Sequence, residues 1–234
     1  GVHIADVSFF VPEGSELDGE AMRRATSVYF PDRVLPMLPP ALSNQICSLN
    51  PGEDRLTVSV LMDFGPAGEP RGFEIQDTVI SSAARLTYSE VAQILHTPRA
   101  RGTKGDIHAS LRMMGKLARI LRERRLAEES LDLDIPEAEV DCGPHGKVED
   151  VRRPPRTEAH MLIEDFMLAA NRTVAGYLGE LNMPCVWRVH ETPDHDAMRP
   201  FDLFARSLGC KPPKLAHIRA TDLQRFLELV HGTD

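Results

Sequence analysis

The sequence is poor in the features that mark several large classes of protein. Its 234 residues include only four cysteines, at positions 47, 142, 185 and 210. They form no CxxC pair, and no histidine pair has zinc-finger spacing, so the pattern indicates reduced thiols rather than a disulfide framework or a zinc site. No apolar run approaches the roughly 18 residues of a membrane-spanning helix, and no segment resembles a signal peptide.

Motifs of several enzyme classes are missing as well. The chain contains no GxGxxG, GxxxxGK[ST], HExxH or GxSxG motif, which are signatures of nucleotide binding, zinc proteolysis and the nucleophile elbow. Hydrophobic residues make up 42% and charged residues 26%, a composition typical of folded globular chains. The net charge of −8 argues against a surface that is basic throughout.

The order of the predicted elements indicates an α+β fold, with a mixed, largely antiparallel sheet and packed helices. Strands are predicted at 2–11, 55–64, 73–87, 131–141, 147–153 and 186–189. Helices are predicted at 15–28, 41–49, 107–125, 157–181, 196–208 and 221–231, with a short helix opening at Ser89. No linker or repeat divides residues 1–234, so we interpret them as one domain. Because the chain begins in a strand pattern without methionine, we expect it to be part of a longer protein.

A basic segment interrupts this acidic chain. Residues 99–125 contain nine lysines and arginines but only two acids. Arg112, Lys116 and Arg119 fall on one side of the predicted helix, opposite its apolar face. Such a stripe suits a phosphate backbone; a helix face that is simply solvated has the same pattern.

The helix predicted at 157–181 is unusually apolar, so we expect most of its circumference to be buried. Glu164 and Asn171 lie two turns apart and share a face. Buried polar side chains need partners, so these two belong either to a structural hydrogen-bond network or to a binding site. Tyr29 and Tyr88 fall at the ends of predicted elements, where aromatic rings either stack on bases or simply pack.

Five segments carry a resemblance that spans nearly the whole chain. They read GVHIADVSFFV at 1–11, GSELDGEAMRRATSVYFPDRVLPMLPPALSNQICSLNPGEDRLTVSV at 14–60, ARLTYSEV at 84–91, EAHMLIEDFMLAANRTVA at 158–175 and VWRVHETP at 186–193. Together they resemble the RNB catalytic domain of the ribonuclease II and ribonuclease R family, with the closer likeness to ribonuclease R. The resemblance implies a cytoplasmic, processive 3′→5′ exoribonuclease that uses Mg²⁺ to hydrolyse single-stranded RNA to nucleoside monophosphates.

The resemblance also implies roles for three residues. Tyr29 matches the active-site tyrosine that packs on the 3′-terminal nucleotide, and Tyr88 matches a tyrosine that contacts RNA near the cleavage site. Glu164 matches the glutamate that contacts ribose hydroxyls, the groups that distinguish RNA from DNA. Leu133 stands where the family usually places a base-clamping phenylalanine. Leucine cannot stack in the same way, so either the clamp is weaker here or the match is displaced.

Two motifs of the family do not occur in the sequence. The metal-binding aspartates are expected upstream of the GVHIADVS segment and the catalytic arginine well downstream, so the Mg²⁺ ligands are expected outside residues 1–234. We therefore expect the 234-residue chain to be inactive by itself. The alternative is a non-catalytic RNB-like module that binds RNA or protein. No membrane partner is expected, and the sequence assigns no protein partner.

Overall fold

The computed structural model describes residues 1–97, 105–128, 138–143, 146–189, 195–212 and 220–230. The strands in these ranges are β1 (Val2–Ala5), β2 (Val28–Tyr29), β3 (Val34–Leu35), β4 (Asp54–Phe64), β5 (Pro70–Ser81), β6 (Glu139–Cys142) and β7 (Val148–Arg152). The helices are α1 (Val7–Phe10), α2 (Glu16–Arg24), α3 (Tyr88–His96), α4 (Gly105–Ala127), α5 (Glu158–Glu180), α6 (His195–Ser207) and α7 (Ala220–Val230), with a π-helical segment at Ala41–Ile46. Helices combined with antiparallel sheets confirm the predicted α+β class.

A three-stranded antiparallel sheet, in the order β1-β4-β5, forms one layer of the fold. β4 is central because its β-branched run pairs on both edges, with Val60 opposite Val2 of β1 and Asp54 opposite Ser81 of β5. The β4–β5 turn includes Gly68, whose φ of +75° favours glycine. A Cβ atom at Gly68 would lie 3.0 Å from the Ile120 side chain, so this turn packs closely against α4.

The longest described helices, α4 and α5, pack against each other and against α3, and α5 also contacts β1 and β4. Tyr177 of α5 meets Phe73 of β5 edge to face, with ring centroids 5.8 Å apart. The side of α5 that faces its neighbours is narrow: the buried residues are Ala159, Leu162, Asp165 and Ala170. The expectation that most of the α5 circumference is buried is therefore wrong for this chain, and Ile163 is 44% exposed.

A short ribbon formed by β2 and β3 is separate from the main sheet, and the sequence pattern did not predict it. Tyr29 lies opposite Val34, and Phe30 N–H donates to the Arg33 carbonyl to close the turn. The Arg33 guanidinium stands 5.4 Å from the centroid of the Phe30 ring, within cation–π range. Pro31 therefore lies in the loop that joins β2 to β3, and Pro36 directly follows β3.

Three predicted strands differ from the structure. The strand predicted at 2–11 ends at Ala5, because the Asp6 carboxylate accepts from Phe9 N–H and caps α1. The strand predicted at 73–87 ends at Ser81, where its pairing with β4 stops. Residues 186–189 form no strand, since no described segment pairs with them. The predicted 131–141 and 147–153 hairpin is present as β6 and β7, and residues 131–137 lie outside the described ranges.

Several other predictions agree with the structure. The helix predicted at 15–28 begins as expected, with Ser15 accepting from Asp18 N–H, but it ends at Arg24, and Val28 belongs to β2. α4, α5, α6 and α7 lie within a few residues of their predicted ranges. All four cysteines are free thiols. Over the ranges described above, no helix combines the length and apolar character that crossing a membrane requires.

Candidate functional site

Tyr88 is the first residue of α3, and its ring stacks on the ring of His160 in the first turn of α5. The two centroids are 3.9 Å apart and the ring planes differ by 18°. A capping box defines the start of α3, because Thr87 Oγ1 accepts from Glu90 N–H and the Glu90 carboxylate accepts from Thr87 N–H. The stack still leaves Tyr88 47% exposed, so its side chain is accessible to a ligand.

The His160 ring is held from the other direction by Thr157, the N-cap residue of α5. His160 Nδ1 accepts from the Thr157 backbone N–H at 3.2 Å and lies 2.8 Å from Thr157 Oγ1. With Nδ1 as an acceptor, the neutral ring carries its proton on Nε2. The local fold of the α5 start therefore sets the orientation of the ring on which Tyr88 stacks.

Glu164 follows His160 by one helical turn, so the two side chains are neighbours on the same side of α5. Its carboxylate accepts from Arg156 Nη2 at 2.9 Å and lies 3.6 Å from Arg125 Nη2. The Glu164 side chain is 39% exposed. It is thus an ionic acceptor that already has protein partners and is still open to solvent.

Asp165, the next residue, has a different environment. Its side chain is only 1% exposed, and it accepts from Arg122 Nη2 at 2.6 Å and from Arg125 Nη2 at 3.1 Å. This buried pairing ties α5 to the C-terminal part of α4. Glu164 and Asn171 are the polar pair that the helical spacing predicts for this helix, but Asn171 is exposed and the buried acid is Asp165.

Tyr29 lies elsewhere, on the β2–β3 ribbon. It is 77% exposed, and no hydrogen bond or ring contact joins its side chain to another described residue. Its neighbours Val28 and Phe30 are each 43% exposed, so the ribbon presents apolar and aromatic surface. The structure therefore brings Tyr88 and Glu164 together around His160 and places Tyr29 on a separate element. Leu133, the fourth position of interest, lies outside the described residues.

Sequence reasoning missed His160, Arg156 and the paired role of Arg125. One signal was present: His160 stands three residues after Thr157, the position from which a side chain can reach back to an N-cap. The pairings of Arg125 and Arg156 carried no such signal, because each depends on how separate elements pack. Together these residues form a pre-oriented aromatic stack beside an acceptor carboxylate, an arrangement suited to binding a hydroxyl-bearing ligand.

A cavity of about 320 Å³ lies at the other end of α5, and none of Tyr29, Tyr88 and Glu164 lines it. Its walls are largely apolar, including Phe64, Phe73 and Leu168. Several of the charges at its edge are paired, as Arg124 is with Glu128 at 2.8 Å. The cavity lies apart from the Tyr88–His160 stack, although Arg125, which lines it, also lies 3.6 Å from Glu164.

Comparison with known proteins identifies the family. The profile of the RNB domain matches residues 1–233, and the chain belongs to the RNB domain family. Among curated relatives, ribonuclease R of Aquifex aeolicus is 41% identical over 232 residues, which cover 99% of this chain and 33% of the relative. Ribonuclease R 1 of Lactococcus lactis is 39% identical, with 99% of this chain and 29% of the relative covered. The chain thus spans about a third of the length of these relatives.

The fold agrees with that assignment. Mycoplasma genitalium RNase R, solved in complex with ribose-methylated single-stranded RNA, superposes with a TM-score of 0.93 at 28% sequence identity. The match covers 98% of this chain and 36% of that chain. The resemblance inferred from five sequence segments is therefore confirmed at the level of family and fold.

Proposed function

We propose that this chain is part of the catalytic domain of a processive 3′→5′ exoribonuclease that hydrolyses single-stranded RNA to nucleoside monophosphates during RNA turnover. Membership of the RNB family along residues 1–233 and the likeness to ribonuclease R support this proposal. We assign this activity to the complete protein, because the relative from Aquifex aeolicus is about three times as long as this chain. We further propose that the protein acts in the cytoplasm, on RNA and without a membrane partner.

The observation that carries the proposal is the position of Glu164 beside the Tyr88–His160 stack. A half-exposed carboxylate can accept a bond from a ribose 2′-OH, a donor that DNA lacks. The Tyr88 ring, held parallel to His160, offers a flat surface next to that acceptor. In this proposal Glu164 and Tyr88 contact the ribose, and Tyr29 stacks on the 3′-terminal nucleotide from the β2–β3 ribbon.

The metal requirement is assigned to residues beyond this site. No group of three or more His, Cys, Asp or Glu side chains within the described ranges could hold a metal ion. The described residues therefore offer no set of ligands for the Mg²⁺ that the family resemblance implies, and we derive no catalytic step through it. We propose that the Mg²⁺ ligands lie outside this sequence and that the 234-residue chain alone does not shorten RNA.

A second candidate is a non-catalytic RNB module that binds RNA or protein. Leu133 favours it, because a leucine at the base-clamp position weakens the grip that processive cleavage requires. Mg²⁺-dependent shortening of labelled poly(A) by the complete protein that contains this chain would exclude the second candidate. Binding of poly(A) without shortening would exclude the first.

The site assignment is tested by Glu164→Ala in the complete protein, with degradation rates on matched RNA and DNA oligonucleotides. A charge-assisted hydrogen bond contributes about 1.5–3 kcal/mol, and solvent screening of this half-exposed group favours the lower end. We expect the RNA preference to fall by about tenfold, since roughly 1.4 kcal/mol is one decade. Glu180→Ala, at the far end of α5, is the control and should keep the preference.

Tyr88→Ala should lower the RNA preference in the same direction, and the double variant should be less than additive if both side chains hold the same ribose. An equal slowing of both substrates by Glu164→Ala contradicts the ribose assignment. In that case the residue serves only its ion pairs with Arg156 and Arg125.

A further inference from the structure

Three cations form a stripe on α4 and have no acidic partner among the described residues. Arg112, Lys116 and Arg119 follow one another at spacings of four and three residues, so they share one side of the helix. None of the three forms an ion pair with any residue that the structure describes, whereas Arg122, Arg124 and Arg125 further along α4 are all paired with acids. Like charges at this spacing repel one another and destabilise a helix. We name this set the α4 cation stripe.

The α4 cation stripe lines a cavity of about 210 Å³ between α3, α4 and α5. Leu95 and Leu162 supply apolar wall, and a Cβ atom at Gly115 would lie 2.9 Å from Leu95, so α3 and α4 approach closely there. Pockets for drug-sized ligands are about 300–1,000 Å³. The smaller volume fits one compact polar group rather than a whole drug-sized molecule.

The electrostatic balance of the cavity is positive. Besides the α4 cation stripe it is lined by Arg122, and its acidic residue is Glu158. Arg112 contributes a further feature, because its Nη1 atom is buried and has no hydrogen-bond partner among the described residues. Buried donors almost always have a partner, and an arginine fork matches the oxygens of a phosphate. The excess of cations along the cavity wall therefore indicates an anionic ligand.

The cavity is distinct from the proposed ribose-contact site. Because an α-helix repeats every 3.6 residues, Glu158, Leu162 and Asp165 share one side of α5, and His160 and Glu164 lie on the opposite side. The cavity is lined by Glu158 and Leu162, whereas Tyr88 stacks on His160. A ligand in the cavity therefore does not occupy the Glu164 carboxylate.

We propose that this cavity is an anion site that binds a phosphate group, with Arg112, Lys116 and Arg119 as its donors. The phosphate belongs either to an RNA strand that passes over α4 or to a free nucleoside monophosphate; both present the same oxygens. The site does not rest on the proposed nuclease activity, since it requires only phosphate binding.

The test compares the unmodified chain with the triple variant Arg112→Gln/Lys116→Gln/Arg119→Gln. The control Arg23→Gln/Arg71→Gln/Arg206→Gln removes three exposed arginines elsewhere and makes the same change in net charge. Binding of inorganic phosphate and of AMP is followed by ³¹P NMR, and binding of a labelled oligo(A) by fluorescence anisotropy in EDTA at several salt concentrations. We expect the triple variant to lose about tenfold or more in phosphate affinity, and the control to stay within about twofold.

The two sources of phosphate give different results. If the site holds an RNA backbone, oligo(A) affinity falls with phosphate affinity, and the slope of log K against log salt becomes shallower by about 2, at roughly 0.7 per contact. If it holds a free nucleotide, phosphate and AMP binding fall while the oligo(A) slope is unchanged. Equal losses in the triple variant and the control, or no phosphate binding by the unmodified chain, overturn the proposal.

Folding of the variants is controlled separately. Arg112 is partly buried, so the triple variant can lose stability, and unfolding is monitored by circular dichroism. The double variant Lys116→Gln/Arg119→Gln changes only exposed side chains. It should fold and still lose several-fold in phosphate affinity relative to Arg23→Gln/Arg71→Gln. A folded double variant that binds phosphate as well as its control also overturns the proposal.

Discussion

Glu164 and Asp165 are consecutive acids on α5, and both contact Arg125, yet they differ in how far their side chains are buried. The Glu164 side chain is 39% exposed, while the Asp165 side chain is 1% exposed. The helix turns by more than a quarter of a revolution between them, which directs Asp165 towards α4 and Glu164 towards the side of His160 and Tyr88. The comparison shows that two neighbouring acids with the same arginine partner differ in burial, so only Glu164 remains accessible to solvent.

The largest effect should come from Asp165→Asn. This change keeps the shape of the side chain but leaves Arg122 and Arg125 without their buried countercharge, and breaking a buried pair in this way costs about 3–5 kcal/mol. The free energy of unfolding by urea is the measurement. A loss below about 1 kcal/mol would contradict the difference between the two acids, because Asp165 would then contribute no more than an exposed acid.

A smaller effect is expected from His160→Ala, on the open side of α5. The substitution removes the ring under Tyr88, and an aromatic pair contributes about 0.5–1.5 kcal/mol. We expect a stability loss of about 1 kcal/mol, together with a weaker preference for RNA in the complete protein, because the Tyr88 ring is no longer oriented.

The controls for His160 separate its two contacts. His160→Phe keeps a ring for Tyr88 but removes the Nδ1 acceptor of Thr157, whereas His160→Asn retains a short acceptor without the ring. The RNA preference should be restored by phenylalanine and not by asparagine. If asparagine restored the RNA preference and phenylalanine did not, the loss would come from the Thr157 hydrogen bond at the start of α5 rather than from the ring stack.

The smallest effect should follow Glu164→Gln. Although Arg156 and Arg125 both lie near this carboxylate, exposed ion pairs contribute about 0–1 kcal/mol. We expect the urea midpoint to move little at moderate salt, and still less at high salt, where screening weakens the pair. A stability loss equal to that of Asp165→Asn would remove the distinction between the two sides of α5.

Local patterns predicted most of the elements in this protein. The β-branched run of β4 and the apolar spacing of α4 predicted both elements, and Thr157 was identified as the start of α5. The predictions were wrong where a single capping side chain or a missing strand partner determined whether a segment formed a strand. Asp6 ended β1 by capping α1, and residues 186–189 formed no strand because pairing, not composition, makes a strand.

The candidate site also contains features that the sequence indicated and features that depend on packing. The family likeness pointed to Tyr29, Tyr88 and Glu164 from sequence alone, and their roles remain predictions. Periodicity also placed Arg112, Lys116 and Arg119 on one side of α4. It could not show that this side borders a cavity, since that depends on the approach of α3 and α5.

The family was recognisable from the resemblance of five segments. The α+β class and the positions of most helices and strands followed from local patterns, because they depend on residues within a few turns or a few strand positions of one another. Which acid of α5 is buried, and which ring Tyr88 contacts, depends instead on how distant elements pack. Asp165 finds its arginines 40 and 43 residues away along the chain. Contacts over such separations follow from how helices pack, and a periodic pattern records which side of a helix is apolar but not which neighbour covers it.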